Sequence, residues 1–203
     1  MNINKKDVLW NYAATFLKIS SSALLLPIIL NMMSPEKVGI YIIFMTISSL
    51  VSLLDFGFNS SFTRNVSYVF SGVKSLRSEG YEKLSYEEST IDYSLLKGLI
   101  SVMKRFYRIL SLILFTLLIT FGSYYINYLL KEYQGDFNEV YIAWTMLIII
   151  NTYNIYTLYY GALLLGKGLV KKSKQITIIG QILFLIVEAF LIISGYGLIA
   201  IFT

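Results

Sequence analysis

Long apolar runs separated by short polar segments dominate the pattern of this chain. Five runs contain 20 or more predominantly apolar residues, at about 9–33, 38–62, 106–130, 140–165 and 175–194. A helix needs about 20 such residues to cross a hydrocarbon core about 30 Å thick. The pattern therefore predicts an all-α, polytopic membrane helix bundle with five transmembrane helices, and the final "SGYGLIAIFT" predicts the start of a sixth.

One connection, 63–105, is much longer than the others. Its second part repeats apolar residues at steps of three or four, which predicts a helix with one apolar face. That face would carry Ile91, Leu95, Leu99, Val102, Phe106 and Ile109, with Lys97, Lys104 and Arg108 nearly opposite. A basic amphipathic helix leading into the third span suits the anionic inner leaflet of a membrane. The same pattern also fits a solvated helix that packs on the bundle.

Composition supports lipid as the surrounding solvent. Of 203 residues, 56% are hydrophobic and 14% are charged, whereas a soluble domain carries about 25% charged residues. The absence of cysteine and histidine argues against a disulfide scaffold, a zinc hydrolase and histidine-based catalysis. We therefore expect no metal and no cofactor.

The positive charges predict an orientation in the membrane. With the N-terminus inside, the outer connections contain only Lys37 and Lys131, and the inner segments contain Lys5, Lys6, Arg64, Lys74, Arg77, Lys83, Lys97, Lys104, Arg105, Arg108, Lys167, Lys171, Lys172 and Lys174. This asymmetry favours a cytoplasmic N-terminus. Because the basic residues flank apolar runs, membrane topology explains the net charge of +5 better than nucleic-acid binding does. An outer aromatic belt is expected around "KEYQGDFNE", from Tyr124, Tyr125, Tyr128, Tyr133, Tyr141 and Trp144.

Polar residues recur on single faces of the predicted spans. The five stripes are Asn11, Thr15, Lys18 and Ser22; Ser48, Ser52, Asp55 and Asn59; Thr116, Thr120, Ser123 and Asn127; Asn151, Asn154 and Gly161; and Thr177, Gln181 and Glu188. Hydroxyl and amide groups of this kind join membrane helices to one another. They could equally line a transport path.

Charged residues within the spans need a further explanation. A charge at mid-helix costs at least about 2.5–3.5 kcal/mol and usually faces a bundle interior or a wet cavity. Asp55 and Glu188 are too short to reach the interface easily, whereas Lys18 could extend its long side chain to it. Counted along the helices, Lys18 and Asp55 lie at similar depths, and the short "SPEK" turn suggests that their helices are neighbours. We therefore expect Lys18 and Asp55 to pair, and Glu188 to face a wet cavity.

The first 75 residues carry a family resemblance. The stretch "KKDVLWNYAATFLKISSSALLLPIILNMMSPEKVGIYIIFMTISSLVSLLDFGFNSSFTRNVSYVFSG" resembles the start of Wzx-type O-antigen or polysaccharide flippases. These belong to the multidrug/oligosaccharidyl-lipid/polysaccharide exporter superfamily. The similarity lies in the tryptophan-containing entry, Pro27, the "VGIY" entry to the second helix and the "LLDFGF…R" exit.

The resemblance implies the N-terminal six-helix half of an exporter built from two inverted V-shaped bundles, in a chain truncated before the second one. It implies a multi-pass protein of the bacterial inner membrane that takes part in lipopolysaccharide biosynthesis. Such a protein moves an undecaprenyl-diphosphate-linked oligosaccharide between leaflets by alternating access. The implied partners are this lipid-linked oligosaccharide, membrane lipid, a coupling ion (H⁺ or Na⁺) and other polysaccharide-assembly proteins. Residues expected along the substrate path are Lys18, Asp55, Arg64, Glu188, Asn11, Asn59, Asn151, Asn154 and Gln181.

Two other functions remain open. One is a drug or cation antiporter of the same superfamily, in which acidic residues dominate the cavity. The other is a membrane glycosyltransferase or acyltransferase that acts on the same lipid carrier. The absence of histidine, and of a closely spaced carboxylate pair near a membrane face, argues against an enzyme.

Overall fold

The computed structural model describes residues 5–73, 75–76 and 90–202. Their regular elements are all helices: α1 (Lys5–Met32), α2 (Pro35–Leu53), α3 (Phe58–Phe70), α4 (Tyr93–Leu117), a π-helical turn (Leu118–Gly122), α5 (Ser123–Leu129), a 3-10 turn (Leu130–Glu132), α6 (Phe137–Gly166), α7 (Val170–Ile193) and a final 3-10 segment (Gly197–Phe202). The predicted all-α bundle is confirmed at this level. Lys74, Arg77 and Lys83 lie outside the described residues, as do the side chains of Lys6 and Ser22.

Four helical stretches are long and apolar enough to cross a membrane: Asp7–Met32, Pro35–Leu53, Tyr93–Glu132 and Val170–Ile193. They suggest a membrane protein. The predicted fourth span forms α6, but α6 is not one of these four, since its asparagines and tyrosines lower its hydropathy. The number of spans therefore stays a prediction.

Local sequence explains where several helices begin. Pro35 occupies the first turn of α2, where its missing N–H is no loss. The Asp92 carboxylate accepts a hydrogen bond from the Leu95 N–H at 2.9 Å at the start of α4. Asp136 accepts one from the Asn138 N–H at 2.8 Å at the start of α6. Both aspartates satisfy amide groups that a helix N-terminus leaves free.

The second predicted span, 38–62, is wrong as a single helix. α2 ends at Leu53 and α3 begins at Phe58, with Phe56 (φ 47°) and Gly57 (φ 79°) left-handed between them. Side chains with a β-carbon disfavour this conformation and glycine adopts it readily. Asp55 therefore lies at the end of a helix and not in the middle of one.

α6 is the centre of the bundle and packs against α2, α3, α4, α7 and the final 3-10 segment. α1 packs chiefly on α7 and only touches α2. The expectation that a short turn makes α1 and α2 close neighbours is therefore wrong. A short loop limits the distance between two helix ends but does not make the helices pack along their lengths.

The basic amphipathic segment and the third span form one continuous helix, because α4 begins at Tyr93 and the helical path runs on to Glu132. The predicted apolar face is not the face that packs inside the bundle, and its contact with a membrane stays a prediction. The buried residues of α4 are Leu99, Met103, Tyr107, Ser111 and Leu114, on average about 100° around the helix from that face. Val102 and Ile109 are 59% and 51% exposed.

Candidate functional site

Two of the predicted polar stripes face each other across one groove. The first runs along α2 and the start of α3, and the second runs along α6. The Asn151 Nδ2 donates to Ser48 Oγ at 3.1 Å, and the Asn59 Nδ2 donates to the Leu158 carbonyl at 3.0 Å. We call this feature the polar groove.

Two adjoining cavities lie along the polar groove. One, of about 400 Å³, is lined by Ser48, Val51, Ser52, Asp55, Asn151, Asn154, Ile155 and Leu158. The other, of about 420 Å³, is lined by Asn59, Asn154, Thr157, Leu158 and Gly161. Each has the size of a small-molecule site, for which about 300–1,000 Å³ is usual. Asn154 and Leu158 border both cavities, so the two lie side by side.

Asp55 is held by two groups at the break between α2 and α3. Its carboxylate accepts the backbone N–H of Asn59 at 3.1 and 3.2 Å, which caps α3. Its Oδ1 also accepts the Tyr107 hydroxyl from α4 at 2.7 Å. The Tyr107 side chain is fully buried and packs edge-on against Phe106. The carboxylate is therefore fixed at the wall of the first cavity.

The expected Lys18–Asp55 pair is wrong. Asp55 bonds to Tyr107 and Asn59, and Lys18 is exposed on α1, which packs mainly on α7. Depth counted along a helix gives the height of a residue, but not the direction in which its side chain points. An ion pair does join Lys37 and Glu139.

That ion pair ties one end of the bundle together. The Lys37 Nζ lies 2.5 Å from the Glu139 Oε2, and the Glu139 Oε1 accepts the Leu198 N–H at 2.6 Å. The starts of α2 and α6 and the segment after α7 therefore meet at one point. Sequence analysis gave no role to Glu139.

Glu188 faces the interior of the bundle. Its side chain is 2% exposed, and its Oε2 has no hydrogen-bond partner among the described residues. Tyr41 of α2 is close enough to interact with it electrostatically. The expectation that Glu188 turns away from lipid agrees with this burial, whereas the wet cavity stays a prediction.

The other predicted path residues lie elsewhere. Asn11 and Arg64 are exposed, and Gln181 is half-buried on α7. None of the three lines either cavity of the polar groove. Their place in a substrate path stays a prediction.

The basic face of α4 is exposed as its pattern suggests. Lys97, Lys104 and Arg108 are all exposed, and the Lys104 Nζ lies 5.6 Å from the centre of the buried Tyr159 ring. A cation over an aromatic face is attracted by the ring quadrupole. Contact of this face with a membrane surface stays a prediction.

Four of the six residues of the expected aromatic belt are exposed, as a belt requires, and their place at a membrane surface stays a prediction. Tyr124, Tyr125, Tyr128 and Tyr141 are exposed, whereas Tyr133 and Trp144 are buried. The Trp144 indole N–H donates to Ser123 Oγ at 2.9 Å. The inclusion of Trp144 in the belt is therefore wrong, because it joins two helices inside the bundle.

Sequence analysis missed a group of tyrosines on α4 and on the second half of α6. They are Tyr107 on α4 and Tyr153, Tyr156, Tyr159 and Tyr160 on α6. The stretch "NTYNIYTLYYG" places Tyr153, Tyr156 and Tyr160 at steps of three and four. That spacing puts the three residues on one helix face, so this pattern in the sequence could have identified them.

Comparisons of the chain with known protein families, curated proteins and solved structures give no match. Its function is therefore argued from the polar groove and from the charges around it.

Proposed function

We propose that this protein takes part in moving a lipid-linked oligosaccharide across a bacterial inner membrane, as a flippase of the Wzx type or as one half of such a machine. The polar groove carries this proposal. It places amides, hydroxyls and one carboxylate along two joined cavities, in a bundle whose other helices are largely apolar. Sugar hydroxyls both donate and accept hydrogen bonds, as these groups do.

The orientation that we propose has the N-terminus in the cytoplasm. The junction of Lys37, Glu139 and Leu198 supports it, because it gathers the starts of α2 and α6 at one end of the bundle. Lys5, Arg64 and the lysines before and within the first turns of α7 then belong to the other end. This separation fits the excess of positive charge on cytoplasmic segments.

Export of the glycan tests the function. In a bacterium whose surface polysaccharide depends on this protein, Asn154→Leu should lower glycan display while the amount of protein in the membrane stays unchanged. Asn154 is exposed to the groove, and its side chain makes no hydrogen bond with the described residues, so its loss should not disturb the fold.

The matched control is Asn31→Leu. Asn31 is an exposed asparagine of α1 that bonds to the carbonyl of Pro27 in its own helix. Equal glycan display in Asn154→Leu and Asn31→Leu would contradict a substrate path through the groove.

A cation-coupled antiporter is the second candidate, favoured by one observation. Glu188 is buried with an oxygen that lacks a partner among the described residues, and ionisable groups in such places commonly handle protons or ions. Glu188→Gln should then abolish ion-driven transport. Under the flippase proposal the same residue couples H⁺ or Na⁺ to glycan export, so the transported solute distinguishes the two candidates.

A further inference from the structure

The exposed face of α6 changes character along the helix. In its first half the exposed side chains are mixed, with aliphatic ones such as Ile142 and Ile149 among polar ones. From Tyr153 to Gly161 the same helix instead exposes Tyr153, Asn154 and Tyr160, with Thr157 and Gly161 between them. Packing of lipid tails on this surface costs free energy, because its amide and phenol groups would lose their hydrogen bonds to water. This second half therefore faces something other than lipid tails.

The second cavity of the polar groove opens beside this face. Asn59, Asn154 and Thr157 supply polar groups to it. The Thr157 hydroxyl donates to backbone carbonyls of its own helix, so its oxygen stays free to accept. A β-carbon at Gly161 would meet nothing within 4 Å, which leaves open space at the end of the cavity.

One tyrosine ring of this face, that of Tyr160, is held in place by its neighbour. Tyr160 packs on the ring of Tyr159 with centroids 4.1 Å apart. The ring centroids of Tyr156 and Tyr159 are 6.2 Å apart, and the Lys104 Nζ lies 5.6 Å from the centre of the Tyr159 ring. Because Tyr159 is fully buried, the Tyr160 ring has a rigid support. A ring fixed in this way loses little freedom when a ligand stacks on it.

This combination matches the chemistry of a sugar ring. A pyranose carries hydroxyls on its rim, which pair with amides, and an apolar C–H face, which packs on an aromatic ring. An aromatic belt at the inner membrane surface would explain tyrosines that share one depth. Tyr153 and Tyr160 do not share one, because they are seven residues, or about 10 Å, apart along the helix. A belt also does not explain the Asn154 amide beside them.

We propose that the face of α6 formed by Tyr153, Asn154, Thr157 and Tyr160 binds the sugar rings of the transported glycan. The proposal rests on the flippase function and assigns the sugar end of the substrate to this surface. The diphosphate, which needs cations, then binds elsewhere.

Cysteine labelling tests whether water and sugar reach this face. The chain has no cysteine, so Thr157→Cys gives one reporter, and Leu183→Cys, at an exposed apolar position in the middle of α7, is its control. The purified protein in liposomes is treated with a charged methanethiosulfonate, with and without glucose, galactose, N-acetylglucosamine or rhamnose. We expect labelling of Thr157→Cys only, slowed by at least one of these sugars. If Thr157→Cys does not react, or if no sugar slows its reaction, the proposal is wrong.

Removal of single rings tests the stacking. In the Thr157→Cys background, Tyr153→Leu and Tyr160→Leu should each raise the sugar concentration needed for protection by about 2- to 10-fold, as expected for one aromatic contact. The control is Tyr124→Leu, which removes a ring that is 76% exposed on α5 and should leave this concentration unchanged. Equal shifts in all three variants would overturn the proposal.

Glycan export separates this proposal from the function on which it rests. If Asn154→Leu blocks export and the tyrosine variants do not, Asn154 lines the path without any sugar ring stacking on Tyr153 or Tyr160, so the sugar surface is wrong and the flippase proposal stands. If neither Asn154→Leu nor Asn59→Leu changes export, the flippase proposal itself fails.

Discussion

Removal of the Tyr107 hydroxyl, in the centre of the bundle, should measure how much its hydrogen bond to Asp55 stabilises the fold. Tyr107→Phe deletes the donor of the 2.7 Å hydrogen bond to Asp55 and keeps the ring that packs against Phe62 and Phe106. A hydrogen bond to a charged group contributes about 1.5–3 kcal/mol. Asp55 keeps the Asn59 N–H, so we expect a loss near the lower end, about 1.5 kcal/mol.

Asp55→Ala should cost more than Tyr107→Phe. It removes the cap of α3, worth about 0.5–2 kcal/mol, and it leaves a buried phenol without its acceptor, which costs about 1–3 kcal/mol. In the double variant the phenol is absent as well, so that second cost disappears. The double variant should therefore lose less stability than the sum of the two single losses.

The assay is the free energy of unfolding in mixed micelles, from a denaturing-detergent titration followed by tryptophan fluorescence. Tyr124→Phe is the matched control, because it removes an exposed hydroxyl that bonds to none of the described residues. If Tyr107→Phe behaves like this control, or if the losses at Tyr107 and Asp55 are additive, Tyr107 does not hold Asp55.

Four further outcomes follow from the structure. Lys18→Ala should leave both stability and the effect of Asp55→Ala unchanged, and a measurable coupling in the same titration would restore the pairing rejected here. Gly57→Ala should lower the free energy of unfolding by about 1–2 kcal/mol, because the φ of Gly57 is positive. Gly98→Ala, in open space within α4, should leave this free energy unchanged or raise it. Equal effects of the two changes would contradict a left-handed break at Gly57. Glu139→Leu should cost more than Lys37→Met, because it also leaves the Leu198 N–H without its acceptor. A double-mutant cycle should show a coupling of about 0.5–3 kcal/mol between the two residues, and additive losses would contradict the ion pair. In intact cells, an impermeant thiol reagent should label Ser34→Cys and not Ser173→Cys, and the reverse would invert the proposed topology.

The helices were largely predictable, because a long apolar run in a membrane can form few structures other than a helix. The stripe from Ser48 to Asn59 and the pair Asn151 and Asn154 were also predictable, since a period of 3.6 residues places them on one face and polar groups avoid lipid. Their meeting across one groove agrees with that expectation. In contrast, the predicted second span, 38–62, runs through Gly57, because a count of apolar residues does not register a glycine. The left-handed backbone at Phe56 and Gly57 lies beside Asp55, whose carboxylate accepts the Asn59 N–H.

Which helices are neighbours was not predictable from the sequence. In water, an apolar face indicates burial. In a membrane protein, lipid also accepts apolar residues, so the pattern of α4 does not distinguish its packed face from its exposed one. The buried face of α4 instead carries Tyr107 and Ser111, whose polar groups need partners inside the bundle.

The partner of Asp55 illustrates the same point. The Asp55 carboxylate, which was expected to pair with a cation, instead accepts hydrogen bonds from a phenol and a backbone N–H. Both donors are uncharged. Intramembrane charge is therefore better interpreted by asking which neutral donors can reach it than by pairing opposite signs. By that reasoning the acidic group that still needs a partner is Glu188, since its Oε2 lacks a donor among the described residues. Asp55 lines the groove, and we propose that Glu188 is the group that exchanges a proton or an ion.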